Sequence, residues 1–280
     1  MATSKSSDAK TTTAEPSPAR KHVGDLIKNF RSRAGLTRQD VGDRLLISES
    51  LAGAYERGER IPTSSFLQDA DAVLDARGAL RSCIALMDDE KYPRTFVGWV
   101  RLEKIASSIS AYENMFFPGL LQTEEYIQAL YEERVPQFSE AEIQKHVEAR
   151  LERQAVLSRD PLPIVAYVIE ESVLQRPIGG KTVLRNQLLH VLECMQTMNH
   201  LMVQVMPTGR TAHAGLTGPF QLASTPDGRN WGYDEGQVGG TLISKPQQVN
   251  QLIDRFGKLR AQSLTPWESA ELIERMADQL

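Results

Sequence analysis

The stretch Gly35–Pro62, GLTRQDVGDRLLISESLAGAYERGERIP, decides how the N-terminal part of the chain is read. Thr37 stands at an N-cap position, its hydroxyl placed to satisfy a free N–H of the turn that follows. Val41 and Leu45, four apart, give that helix one apolar side. Leu46-Ile47 reads as a turn. Ser48 then caps a second helix on which Leu51, Ala52 and Tyr55 share a side. Glu56-Arg57-Gly58 ends it, because Gly58 can take the left-handed conformation after a helix. Two short helices at this spacing pack at a steep angle.

These residues resemble the XRE (Cro/repressor-type) helix-turn-helix domain, usually written T-Q-x-x-L-A-x-x-x-G-V-S-x-x-x-V-x-x-I-E-x-G. The match runs through Thr37, Val41, Leu45, Ile47, Ser48, Glu56 and Gly58. Arg38 replaces the usual Gln and would still suit a phosphate oxygen. Gly42 replaces the small Ala at the helix crossing, at a helix-propensity cost of about 1 kcal/mol. Leu46 replaces the turn Gly, which costs about 1 kcal/mol or more if held at positive φ. Tyr55 replaces the late core Ile. The resemblance implies an all-α, repressor-like five-helix head whose second motif helix faces a DNA major groove.

Working outward, Val23, Leu26, Ile27, Phe30 and Ala34 have the period of a helix that opens the head. Phe66, Ala70, Val73 and Leu74 mark a fourth helix ending at Arg77-Gly78, and Leu80, Ile84 and Met87 a fifth. The head therefore spans 20–89. Residues 1–19 are Ser, Thr, Lys, Ala and Pro without apolar periodicity, which predicts a disordered tail.

From residue 90 to 280 the texture is α+β. Phe96, Trp99, Val100 and Leu102-Glu103 predict a helix, and Ser108–Tyr112 alternates like a strand. Thr123 caps a helix carrying Tyr126, Ile127 and Leu130. Ser139 with Glu142 forms a capping box for a helix ending near Leu157. Ile164–Ile169 is a compact apolar run, read as a buried strand. Gly179-Gly180 precedes a helix through Met195, and Leu201–Met206 is a further strand. Strands at 220–223, 231–234 and 241–243, with the turn signal Pro226-Asp227-Gly228, predict an antiparallel meander. Pro246 opens a helix, and Thr265-Pro266-Trp267-Glu268 caps the last one. The fold class is thus an all-α head followed by an α+β domain with an antiparallel sheet.

At 280 residues, 41% hydrophobic and 24% charged, the chain has the composition of a two-domain globular protein. No apolar run approaches the roughly 20 residues of a membrane helix. No signal-peptide core precedes Val23. Two cysteines, Cys83 and Cys194, make no disulfide framework, so a reducing cytoplasm is expected, with nucleoid association when DNA is bound. The net charge is −4, yet residues 20–60 hold nine Lys/Arg against six Asp/Glu, leaving 23 against 30 elsewhere. A mildly basic head on an acidic body fits a protein that touches phosphate with its head alone.

A second resemblance runs along the remainder. PGLLQTEEY (118–126), ARLERQAVL (149–157), EESVLQRPIGG (170–180), QLLHVLE (187–193), VQVMP (203–207), GLTGPFQL (215–222) and YDEG (233–236) recur in this order in one group. The chain is similar to actinobacterial XRE regulators with an antitoxin-like C-terminal domain, the WhiJ-type family. The resemblance implies a transcriptional regulator, often encoded beside a small partner protein. It supplies no ligand.

The exposed face of the second motif helix should include Ser48, Glu49, Ser50, Gly53 and Ala54. It is poor in the Arg, Asn and Gln that read purine edges bidentately. Arg38, Gln39, Arg57 and Arg60, with the Thr37 cap, are phosphate contacts that position rather than specify. Weak base readout by one head would be offset by pairing two heads in a homodimer on double-stranded DNA. The alternative is an antitoxin-like module that neutralises a small partner protein, with DNA binding secondary. Arg176, Gln221, Trp231, Tyr233 and Glu235 lie near strand ends and could orient a small ligand; a domain built only for dimerisation and docking is the bland counterpart. Phe220 and Leu222, or the last helix, could equally offer a groove to a small protein.

Enzymatic signals are weak. Ile178-Gly179-Gly180-Lys181-Thr182 resembles the end of a phosphate loop, but Gln175 stands where its first Gly belongs. Glu170-Glu171 would point to opposite sides of an extended chain. The histidines His22, His146, His190, His200 and His213 are scattered without metal-ligand spacing, and His213 reads as a surface loop residue. No catalytic residue, metal or cofactor is expected.

Overall fold

A computed structural model describes residues 16–237 and 239–280. The chain divides into two compact units, one ending at Lys91 and one beginning at Tyr92.

The first unit contains α1 (Pro18–Arg33), α2 (Arg38–Leu45), α3 (Glu49–Glu56), α4 (Ser64–Val73) and α5 (Ile84–Asp89). Residues 1–15 of the expected tail lie outside the described residues. Pro18 and Ala19 belong to α1, because Ser17 accepts the Arg20 amide at 3.2 Å and Pro18 suits the first helical turn. Thr37 caps α2 as its position predicts, in a reciprocal box with Asp40. Ser48 and Thr63 cap α3 and α4. Val23, Ile27, Val41, Tyr55, Leu67, Leu80 and Met87 meet in the core.

The α2–α3 corner is tight. Leu46 holds φ 55° and ψ 41° with its side chain 92% exposed, so nothing apolar offsets the left-handed strain. The Ile47 amide donates to the Gly42 carbonyl at 2.9 Å and closes the corner. A Cβ on Gly42 would lie 2.7 Å from the Ile47 carbonyl oxygen, which explains the absence of Ala there.

The second unit contains α6 (Arg94–Glu103), β1 (Ser108–Glu113), α7 (Glu124–Glu132), α8 (Glu140–Arg153), β2 (Ile164–Glu170), α9 (Glu171–Gln175), α10 (Lys181–Thr197) and β3 (Leu201–Met206). It continues with β4 (Phe220–Ser224), β5 (Asn230–Asp234), β6 (Thr241–Ile243), α11 (Pro246–Gln262) and α12 (Pro266–Asp278). Among the described residues the strands form one sheet in the order β3-β2-β1-β4-β5-β6. β4, β5 and β6 are the antiparallel meander that their turn signals predict, and β4 is antiparallel to β1. The other half differs from a wholly antiparallel sheet: β1, β2 and β3 run parallel. Parallel strands need crossovers, which α7–α8 and α9–α10 supply.

Both faces are covered, which is why β2 reads as an unbroken apolar run. Val165, Tyr167 and Ile169 face a core with Trp99, Leu184, Leu188 and Ile273. Ala166 and Val168 face α11 through Val249, Leu252 and Phe256. Phe220 and Leu222 belong to that second core, 3% and 8% exposed, so they offer no open groove.

Two substitutions at the α2–α3 corner should have opposite signs. Leu46→Gly relieves a left-handed Leu and should stabilise the protein by about 0.5–1 kcal/mol. Gly42→Ala should destabilise it by roughly 1–3 kcal/mol although Ala favours helix, because the clash is with backbone. Denaturant melts of the two variants check both signs.

Candidate nucleic-acid interface

The N-terminus of α3 presents Ser48, Glu49 and Ser50, all exposed. Ser48 spends one lone pair on the Leu51 amide at 3.1 Å. Thr37 and Gln39 are exposed at the start of α2. The Thr37 hydroxyl donates to Asp40 at 2.6 Å, and Gln39 donates to Asp43 at 2.8 Å. That bond with the Thr37 side chain, then the one with its backbone amide, lowers the Asp40 carboxyl pKa.

The outer face narrows beyond Ser50. Leu51 packs partly against the core. Gly53, expected to be exposed, is buried: a Cβ there would lie 2.9 Å from an Arg57 guanidinium nitrogen and 3.7 Å from Arg38 Cδ. Ala54 is half-buried. The reason is that the Arg57 guanidinium and the Arg38 side chain lie over this part of the helix.

Those arginines are held by carboxylates. Glu56 is buried at the end of α3, with 1% of its side chain exposed. It accepts from Arg31 Nε on α1 and, at 2.8 Å, from Arg38 Nε on α2. Arg31 also donates to the Leu36 carbonyl at 2.8 Å. Burial opposes the Glu56 charge, but the two guanidiniums outweigh it and leave the carboxyl below its usual pKa. Arg38 is therefore first a strut between helices, with its remaining nitrogens available outward. Arg57 forms a two-point pair with Glu59 at 2.7 and 2.8 Å, exposed on both sides. Arg60 is exposed, and among the described residues no ion pair engages it.

A cleft of about 310 Å³ opens beside this network, lined by Lys21, Asp25, Lys28, Arg38, Glu56 and Arg57. Sequence reasoning passed over Lys21 and Lys28. Their seven-residue spacing on α1 was the signal, since two helical turns return a side chain to the same face. Four cations against two carboxylates give the cleft a net positive lining.

In the second unit the expected ligand residues do not all converge. Gln221 and Tyr233 are register partners on β4 and β5. Tyr233 is 2% exposed and packs on Phe96 and Trp99 with ring centroids 5.4 and 5.6 Å away, so it is a core residue. Trp231 lies toward the other end of the sheet, with Arg229 5.8 Å over its ring. Glu235 is exposed just beyond β5. Arg176 follows α9 and donates to the Met115 carbonyl at 2.7 Å.

His213 is not a surface residue. Its side chain is 6% exposed, with Nε2 3.4 Å from Glu170 Oε1, which also accepts the Tyr112 hydroxyl at 2.6 Å. The loop after β3 folds back over the carboxyl ends of β1 and β2, and Gly215 allows it to lie directly on the Tyr112 ring. Glu171 instead accepts the Thr208 amide at 2.8 Å, so the adjacent carboxylates serve separate contacts. No group of three or more His, Cys, Asp or Glu side chains converges among the described residues. No helix among them is long and apolar enough to cross a membrane.

Comparison with known proteins falls along the same division. Residues 22–82 match the family described as a helix-turn-helix domain. Residues 96–275 match the family described as a domain of unknown function (DUF5753). The uncharacterized HTH-type transcriptional regulator YazB of Bacillus subtilis (strain 168) is 40% identical over 52 residues, 19% of this chain and 75% of that protein. No solved structure matches.

The Glu56 cluster sets a measurable pH dependence. Because the folded carboxyl ionises more readily than the unfolded one, its contribution is complete above the ordinary value of 4.5 and fades as pH falls through the lower folded value. Glu56→Gln should cost roughly 3 kcal/mol at pH 7 by stranding two guanidiniums, and should flatten the loss of stability below that value. Urea melts of both forms across pH 3–7 measure the difference.

Proposed function

Since this chain belongs to the family of the domain of unknown function DUF5753, carried here behind a helix-turn-helix domain, we propose that it is a sequence-specific transcriptional regulator that binds double-stranded DNA as a homodimer. The observation that carries this reading is the exposed N-terminal turn of α3, Ser48-Glu49-Ser50, flanked by Gln39, Arg57 and Arg60 on a head locked by the Glu56 pairs. Ser50 makes the base-edge hydrogen bond. Arg60, Arg57 and the free donors of Arg38 hold phosphates, with Lys21 and Lys28 beside them. One head reads few bases, so two act together, and half-site spacing follows from how the pair is held. The protein works in the cytoplasm, on the nucleoid.

The second unit pairs the chains and answers to a small ligand or to a small protein from a neighbouring gene. Either can change promoter occupancy only by binding DNA-competent and incompetent arrangements with different affinity. The scarcity of purine-reading donors on α3 favours a second reading, an antitoxin-like module whose main act is neutralising that small protein.

A salt-titrated gel shift on the DNA upstream of the gene, with and without the neighbouring product, separates them. Retardation that weakens steeply with salt supports the regulator. No retarded species at low salt in either mixture would sink it. Arg60→Ala should weaken binding to all sequences alike and lower the salt slope by about 1, while Ser50→Ala should relax preference at a single position.

A further inference from the structure

Glu59 stands just past α3 on a backbone that is held in place. Gly58 takes φ 68° and packs so closely on α1 that a Cβ there would lie 2.9 Å from the Arg20 carbonyl carbon. The Glu59 amide then donates to the Ala54 carbonyl at 3.0 Å, and the Arg60 amide reaches the same oxygen at 3.4 Å. The carboxylate itself is half exposed, as is the Arg57 side chain it meets.

Arg57 is the movable partner. Its side chain runs back along α3, with Nη1 where a Cβ on Gly53 would meet it at 2.9 Å. Nε and Nη2 form the fork of the guanidinium that binds two oxygens at once. Glu59 fills both prongs, at 2.7 and 2.8 Å. A backbone phosphate offers two free oxygens to that same edge. Carboxylate and phosphate therefore compete for one pair of donors.

The two arginine–carboxylate contacts of the head differ in kind. Glu56 is buried, so Arg31 and Arg38 cannot leave it without stranding a charge. The Arg57–Glu59 pair is open to water, contributes little to stability and exchanges readily. Hydrogen bonds from Arg57 hold the Glu59 carboxyl below its usual pKa, so it is an anion at neutral pH. Arg57 also borders the cleft whose other cations are Lys21, Lys28 and Arg38. Glu59 thus holds one cation of that group in a neutral pair.

We propose that Glu59 sets the affinity of the head for DNA by occupying, on Arg57, the place of a backbone phosphate. In the free protein the pair is closed, with the guanidinium over Gly53. On duplex DNA the Arg57 fork turns from Glu59 to a phosphate, and the freed carboxylate takes up a cation from solution. Opening the pair opposes binding to every sequence alike, because phosphates carry no base identity. This deepens the reading of the head as a DNA-binding module and rests on it.

Fluorescence anisotropy of the full chain on a mixed-sequence duplex of about 30 base pairs, across a salt series, tests the assignment. Glu59→Gln should tighten binding by about three- to tenfold at low salt and steepen the salt slope by about 1, since no cation is then taken up. Arg57→Ala should weaken binding. In the Arg57→Ala background, Glu59→Gln should change affinity by less than about twofold, because the carboxylate acts through the guanidinium. Thermal melts of each variant, matched to the parent, show that it is folded. The assignment is overturned if Glu59→Gln equals the parent in affinity and slope. It is overturned equally if the gain persists undiminished without Arg57, which is the signature of net charge alone. Failure of the parent and every variant to bind duplex would sink the regulator reading as well, whereas a parent that binds beside an unchanged Glu59→Gln sinks this assignment only.

Discussion

Glu56 reaches Arg31 on α1 and Arg38 on α2 from the end of α3, so one carboxylate holds three helices in a single arrangement. Buried ion pairs contribute little net stability, since desolvation offsets much of the attraction. Their effect is on geometry: any other angle between these helices leaves a charge stranded. The close approach of α1 to α3 depends on the same corner, where Gly24 faces the carbonyls of Tyr55 and Glu56 and a Cβ would lie 2.5 Å from the latter. The exposed turn of α3 is presented at a defined angle because its other end is anchored this way.

This anchoring has a cost in readout. Arg38 and Arg57, which their places in the helix-turn-helix motif assign to phosphates, are partly committed to Glu56 and Glu59. Gly53 disappears beneath them. The outward surface left on α3 is one short turn of serines and a glutamate.

The second unit obeys a different constraint. β1 and β2 are covered on both faces, so polar groups on them must be paired or cluster where the sheet ends. Tyr112, Glu170 and His213 satisfy one another on the α11 side. Glu103 and Arg153 meet on the other, with Arg153 stacked 5.0 Å from the Phe96 ring.

The boundaries of the elements were legible because caps and periods are written in consecutive residues. Thr37 with Asp40, Ser139 with Glu142 and Thr265 with Glu268 close their boxes within three residues. The apolar run at 164–169 announced a buried strand, and Pro226-Asp227-Gly228 a hairpin. The strained Leu46 was visible as a departure from pattern, although its conformation needed coordinates. What stayed hidden joins residues far apart in the chain: the parallel pairing of β1 with β2, the burial of Gly53 by side chains from two helices, the capture of His213 by Glu170, and the meeting of Glu103 with Arg153 fifty positions later. By itself the sequence determined where each helix and strand begins and which side of it is apolar, since those depend on neighbours a turn or a pleat away. Only the tertiary structure decided which polar groups satisfy one another and which remain open, because that depends on how distant segments close upon each other, and no local period records it.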